Sequence, residues 1–304
     1  MLLFITNKGR VYSLKGYQIP DSGRTARGMA IVNLLQLEPE EKVATIIPIK
    51  TFDDAKYLVM GTKLGTVKKT ALSDYVNIRK SGLIAIELRE DNELINARLA
   101  DENDTIMFAT RKGMAIRFSE SDVRATGRAS IGVRGIELKD DDYVIGMDVC
   151  NDPEATLMIV TEKGFGKKTS VDEYKIQNRG GKGLITYKVS DKTGELVGML
   201  MVHDEDDIML ITSSGVIIRF HVSDVSTIGR ATRGVILMKT SDENLIVGCA
   251  KTAREEESDE EISDEDLTEA TGSEGISEDI ADVEDDGADT DAGQEILEKL
   301  GLDE

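Results

Sequence analysis

The stretch TIMFATRKG, Thr105 to Gly113, decides how the chain is read, because it occurs five times in altered form. LLFITNKG, YLVMGTKLG, TLMIVTEKG and IMLITSSG are the other versions, and the five end at Gly9, Gly65, Gly113, Gly164 and Gly215, spaced 56, 48, 51 and 51 residues apart. Three residues before each glycine stands a threonine: Thr6, Thr62, Thr110, Thr161 and Thr212. A second glycine follows at Gly28, Gly82, Gly132, Gly183 and Gly234, 19 residues on in four repeats and 17 in the second. A short apolar, β-branched run makes a buried strand. The loop after it requires a positive φ at its last position, which glycine supplies without steric cost.

The rest of each unit extends the pattern. RVYSL, TVKKT, AIRF, GKKT and VIIRF read as the second strand of a hairpin. AIVNLLQL, LIAIEL, VRGIEL, GLITYKV and GVILMK read as a third, and KVATIIPI, ELINARLA, YVIGMDV, ELVGMLMV and LIVGCA as a fourth. Four strands at a period near 50, with only four prolines in 304 residues, predict an all-β array of four-stranded blades, propeller-like rather than a solenoid. The predicted repeats span about 1–50, 56–100, 104–150, 155–202 and 206–252, together one β domain over 1–252.

Charge divides the chain in two. The formal net charge is −21, yet residues 255–304 hold 23 Asp and Glu against Lys299 alone, which leaves residues 1–254 at +1. The segment 253–304 reads as a mostly disordered acidic tail, with GQEILEKLGL as a short amphipathic helix at its end. Within the body the cations are phased. The windows between first and second glycines hold 19 Lys and Arg against 7 Asp and Glu. If equivalent positions recur at one rim, Arg24, Arg27, Arg79, Lys80, Arg124, Arg128, Arg179, Lys182, Arg230 and Arg233 form a belt. The strand residues Lys68, Lys69, Arg117, Lys167, Lys168 and Arg219 would thicken it. A curved basic belt is an electrostatic footprint for a polyanion. Few aromatics interleave with it, and no recognition helix or zinc finger is visible, so the expected contacts are to phosphates of bent duplex rather than to bases. Tail and belt have opposite charge, which leaves two readings of the tail: a competitor for the belt, or a solubilising segment.

Other chemistry is poorly supported. TEKGFGKKT lacks the first glycine of a phosphate-binding loop, since Thr161 stands where it belongs. His203 and His221, the two histidines, have no nucleophile nearby in sequence. Cys150 and Cys249 lack metal-ligand spacing and read as small thiols in a reducing cytoplasm. DVEDDGADTDAG places Gly293 where a calcium loop needs a bidentate acid. No metal, cofactor or membrane partner is expected, and no apolar run is long enough to span a bilayer.

In combination, RVYSLKGYQIP, GRTARG, VNLLQL, GTVKKT, ESDVRATGR, GVRGI, TEKGFGKKT, DEYKIQNRGGKG and GRATRGV resemble the C-terminal DNA-wrapping domain of the A subunit of bacterial DNA gyrase, over about residues 1–252. The resemblance implies a β-pinwheel of six four-stranded blades with strands exchanged between neighbours. It also implies a rim that wraps duplex DNA in support of negative supercoiling, without a cleavage tyrosine or ATPase of its own. The implied partners are double-stranded DNA and, in the whole enzyme, the breakage-reunion core and the B subunit of gyrase, in the cytoplasm at the nucleoid. Family members carry a box, Q-R-R-G-G-K-G, needed for wrapping. Gln177, Asn178, Arg179, Gly180, Gly181, Lys182 and Gly183 match six of its seven positions, with Asn178 replacing a cation. The box of the family lies in the first blade, whereas this stretch is in the fourth repeat of five, which implies a further blade upstream. The alternatives are the equivalent domain in the A subunit of topoisomerase IV and a protein-binding propeller scaffold.

Overall fold

The computed structural model describes residues 1–23, 26, 28–52, 56–241 and 243–254. The expectations for Arg24, Arg27 and the acidic tail therefore lie outside the described residues. The body, Met1–Glu255, is one compact unit.

Each repeat opens with the predicted hairpin. The five pairs are β1 (Leu2–Thr6) with β2 (Arg10–Leu14), β4 (Tyr57–Thr62) with β5 (Thr66–Ala71), β8 (Thr105–Thr110) with β9 (Met114–Ser119), β12 (Thr156–Thr161) with β13 (Phe165–Ser170), and β16 (Asp206–Thr212) with β17 (Ile217–His221). The recurrent threonine now has a reason. Its Oγ1 accepts the amide of the residue just past the glycine: Arg10 to Thr6 at 3.3 Å, Thr66 to Thr62 at 3.0 Å, Met114 to Thr110 at 3.2 Å, Phe165 to Thr161 at 3.1 Å and Val216 to Thr212 at 3.2 Å. These threonines are buried, so the bond satisfies a hydroxyl that water cannot reach.

The last long strand of each repeat, β3 (Val43–Pro48), β7 (Leu94–Ala100), β11 (Val144–Cys150), β15 (Leu196–Val202) and β19 (Ile246–Ala253), pairs with the other side of the first. Neighbouring members of this set pack together and are stitched by polar groups. Thr45 donates to Asn96 Oδ1 at 2.5 Å, Asn96 to the Met147 carbonyl at 2.8 Å, and Arg98 Nε to Asp148 Oδ1 at 2.8 Å.

The third strand departs from the expected pattern. Only two residues of each predicted segment are extended: β6 (Leu83–Ile84), β10 (Val133–Arg134), β14 (Leu184–Ile185) and β18 (Val235–Ile236). Each pairs with the preceding repeat, giving the sheet orders β3-β1-β2-β6, β7-β4-β5-β10, β11-β8-β9-β14 and β15-β12-β13-β18. This is the strand exchange that the resemblance implied. Among the described residues the fifth sheet has three strands, β19-β16-β17, not four. In the first repeat AIVNLLQL is no strand. Ile31–Asn33 is a 3-10 turn, and Leu35 is buried with Phe4 and Tyr12 on the outer face of the first sheet. Through Leu35 this segment covers apolar surface of the first sheet.

The fold is thus a propeller-like succession of β blades. Its core lies between them: Leu58 and Met60 face the first blade, while Val59 of the same strand faces the third. Burial on both faces explains why the first strands read as unbroken apolar runs rather than alternating ones.

Gly113 sits at φ +88°, and a Cβ there would lie 2.4 Å from the Tyr187 carbonyl oxygen. Gly113→Ala should destabilise the body by more than about 1 kcal/mol, from left-handed strain plus the clash. Urea denaturation of the two chains measures it, and an unchanged midpoint would contradict this account of the turn.

Candidate nucleic-acid interface

From the second repeat on, the basic loops lie between β5, β9, β13 or β17 and the two-residue strand that follows. Each loop after the first lies over the blade before it. The Thr126 amide donates to the Lys69 carbonyl at 2.9 Å, Gln177 to Arg117 at 2.8 Å and Ile228 to Lys168 at 2.9 Å. A loop of one repeat is therefore fixed by the strand of another, which keeps the loops in register with the blades.

Three arginines at equivalent positions, Arg128, Arg179 and Arg230, are half-buried and reach back to the preceding repeat. Arg128 donates to the Asp74 carbonyl at 3.2 Å. Arg179 donates to the Asp122 and Arg134 carbonyls at 3.2 and 2.7 Å. Arg230 donates to the Ile185 carbonyl at 2.5 Å, and its own amide donates to Glu173 Oε2 at 2.7 Å. A guanidinium has five N–H donors, so one edge can hold the scaffold while another faces outward. Arg79, Lys80, Arg124, Lys182 and Arg233 are exposed.

In the box-like stretch, Gln177 and Arg179 are half-buried while Asn178 and Lys182 are exposed. Gly180 and Gly183 have φ of +80° and +73°. The Gly180 amide donates to the Gly135 carbonyl at 2.8 Å, so this N–H holds the loop and is not available to a phosphate. The Gly181 carbonyl accepts from Glu137 at 2.9 Å. A Cβ on Gly183 would come 2.4 Å from the Ala115 carbonyl oxygen, so this glycine serves close backbone packing.

The strand cations do not thicken the belt as predicted. Lys68, Lys69, Lys167 and Lys168 are 1%, 7%, 0% and 3% exposed. Lys69 is ion-paired with Glu120, and Lys168 with Asp204 at 2.5 Å. Lys68 and Lys167 instead donate to backbone carbonyls of the loops. An ammonium enclosed in this way cannot meet a phosphate. Arg117 is half-buried, with Nε donating to Thr105 at 2.9 Å and Nη1 to the Val171 carbonyl at 3.2 Å. Arg219 is exposed but paired with Asp207 at 2.8 Å. His221 also holds Asp207, and its hydrogen bond and that of Arg219 keep the carboxyl below the usual range. His203 is bonded to Asp152 at 2.9 Å, and both histidines thus serve as partners of carboxylates.

Two cations escaped the phased reading. Arg134, exposed on β10, occupies the place held by Ile84, Ile185 and Ile236 in the other exchanged strands. Its position two residues after Gly132 was the available signal. Arg10, directly after Gly9, joins Arg79 and Arg128 in lining a cleft of about 650 Å³.

If the seam arginines touch phosphates, Arg128→Ala, Arg179→Ala and Arg230→Ala should each weaken duplex binding at every sequence tested. Each should also lower the slope of log affinity against log salt by about 1. Fluorescence anisotropy over a salt series measures this, and unchanged slopes in all three variants would remove them from the interface.

Among the described residues no helix is long and apolar enough to cross a membrane. The family model of the DNA gyrase C-terminal domain, a β-propeller, matches residues 1–50, 56–101, 104–151, 155–203 and 206–253. The chain is 53% identical over 264 residues to the DNA gyrase A subunit of Clostridium acetobutylicum, covering 87% of this chain and 32% of that protein. It is 44% identical over 258 residues to the DNA gyrase A subunit of Staphylococcus epidermidis, covering 84% and 29%. It thus spans about a third of the length of these relatives. A solved structure of a topoisomerase IV C-terminal domain superposes with a TM-score of 0.76 at 27% identity, covering 83% of this chain and 79% of that one. A solved DNA gyrase A C-terminal domain superposes with a TM-score of 0.71 at 27% identity, covering 82% and 81%. Five matched repeats over most of the chain, together with this fold, show that it belongs to the DNA gyrase C-terminal domain family.

Proposed function

We propose that the body is the DNA-wrapping module of a gyrase A subunit. It binds duplex along the outer loops and bends it, so that the rest of a type IIA topoisomerase can pass a crossing segment and introduce negative supercoils. The observation that carries this reading is the chain of arginines Arg128, Arg179 and Arg230, each anchored to the repeat before it, among the exposed cations Arg79, Lys80, Arg124, Arg134, Lys182 and Arg233. Such an array meets phosphates at successive points. Contacts to several blades offset a bending cost on the order of several kcal/mol, and sequence-independent affinity follows from counterion release.

In this reading the module itself performs no strand cleavage. Breakage, reunion and ATP hydrolysis reside in the other parts of the enzyme, its partners in the cytoplasm. The box-like stretch Gln177–Gly183 contributes Arg179 and Lys182 as charges, while its glycines bring the loop close to the preceding blade. The expected test is a topology assay. Relaxed circular plasmid incubated with the chain and a nicking-closing enzyme, then stripped of protein, should carry a linking difference that grows with protein added and vanishes at high salt. Plasmid indistinguishable from the protein-free control would exclude wrapping by this chain.

A further inference from the structure

Lys68 and Lys167 occupy the same place in the second and fourth blades, three residues past Gly65 and Gly164. Neither ammonium is ion-paired within 4.0 Å among the described residues. Lys68 Nζ donates to the Ala85 carbonyl at 2.5 Å and to the Arg128 carbonyl. Lys167 Nζ donates to the Gly229 carbonyl at 2.8 Å, the Arg230 carbonyl and Thr232 Oγ1 at 3.1 Å. A buried charge is tolerated only where its hydrogen-bonding capacity is met; here the rim loop of the next repeat supplies the Arg128 acceptor of Lys68 and all three acceptors of Lys167. The acceptors include the backbone of Arg128 and Arg230, two of the three seam arginines. At the same place the third blade has Ile116 and the fifth Ile218. Ile116 lies beneath the box-like loop, its Cδ1 3.7 Å from where a Cβ on Gly181 would be.

We propose that Lys68 and Lys167 are positioning residues for DNA binding: each clips a rim loop in place through its carbonyls and adds one positive charge directly beneath a seam arginine. The proposal rests on the rim being the DNA surface. The alternation of Lys and Ile divides the track into loops held by an internal cation, 124–132 and 226–234, and the box-like loop, held by its own backbone bonds.

The groups around each ammonium give it a pH signature. Asp74, Arg128 and Tyr75, whose hydroxyl shares the Ala85 carbonyl at 3.3 Å, surround Lys68. Glu173, Arg230 and the Tyr187 ring, 5.8 Å away, surround Lys167. Burial lowers both lysines to about 8. Between that value and the ordinary lysine range the unfolded chain holds more protons than the folded one. These two groups therefore make the fold more stable as pH rises there, while the rim loses two charges. A role confined to stability and a role in binding thus move in opposite directions.

The test uses the whole 304-residue chain with Lys68→Met, Lys167→Met and both, a duplex of about 150 bp as probe, and amide hydrogen exchange without DNA. The double variant should bind roughly tenfold more weakly at pH 7. Its affinity should stay level from pH 7 to 9 while that of the unaltered chain falls. In exchange, Thr126 should lose protection in Lys68→Met and Ile228 in Lys167→Met, with Gln177 unchanged in both. Affinity within twofold of the unaltered chain, a shared pH profile, or equal loss of protection at Gln177 would overturn the proposal. Should the variants fail to fold, the unaltered chain decides alone, and a flat affinity from pH 7 to 9 overturns it. If the unaltered chain retains no duplex, the DNA reading fails, while the exchange data still decide whether the clips exist.

Discussion

One glycine carbonyl in each of four hairpins accepts two amides from the next repeat. Ala85 and Ile86 donate to Gly9 at 2.8 and 3.2 Å, Gly135 and Ile136 to Gly65 at 2.8 and 3.3 Å, Thr186 and Tyr187 to Gly113 at 2.8 and 3.2 Å, and Leu237 and Met238 to Gly164 at 2.8 and 3.1 Å. The two-residue strand just before those amides completes the sheet of the earlier blade. Neither blade can shift along the other without breaking this joint. The joint therefore sets the phase of everything hung between hairpin and exchanged strand, including the basic loops.

Given that phase, function becomes a matter of where charge is allowed. The gaps between blades are filled by apolar side chains such as Leu58, Phe108, Leu157 and Ile208. Cations concentrate in the loops and in the strands beneath them, and the structure grades them by depth. Lys68 and Lys167 are inside, Arg128, Arg179 and Arg230 lie along the seams, and Arg79, Arg124, Lys182 and Arg233 are outside. Long-range attraction for a polyanion needs only the outer set. A fixed path for a stiff duplex needs the seam set as well, because bending consumes free energy unless contacts are held in place.

The hairpins were legible because their chemistry is local. A threonine, a turn glycine and an apolar run mark each hairpin, and the threonine meets its amide within four residues. The third strand was legible as extended sequence but not as a two-residue donation, since its partner belongs to another repeat and nothing local names it. AIVNLLQL reads as extended sequence for its apolar run, yet folds as a 3-10 turn whose Leu35 packs on Phe4 and Tyr12. The buried lysines carried a signal that went unused. Lys68 and Lys69 are adjacent on one strand, as are Lys167 and Lys168, and adjacent strand residues point to opposite faces, so both members of a pair cannot line one outer track. Arg134 was missed because the phase of the cations was followed rather than the phase of the exposed positions.

The most direct measurement is a hydroxyl-radical footprint of the chain on a long duplex at low salt. In-phase loops along one rim predict protection that recurs about every 10 base pairs, on one side of the helix, over a stretch longer than a single blade contacts. A short protected patch without periodicity, or none, would contradict a continuous basic track.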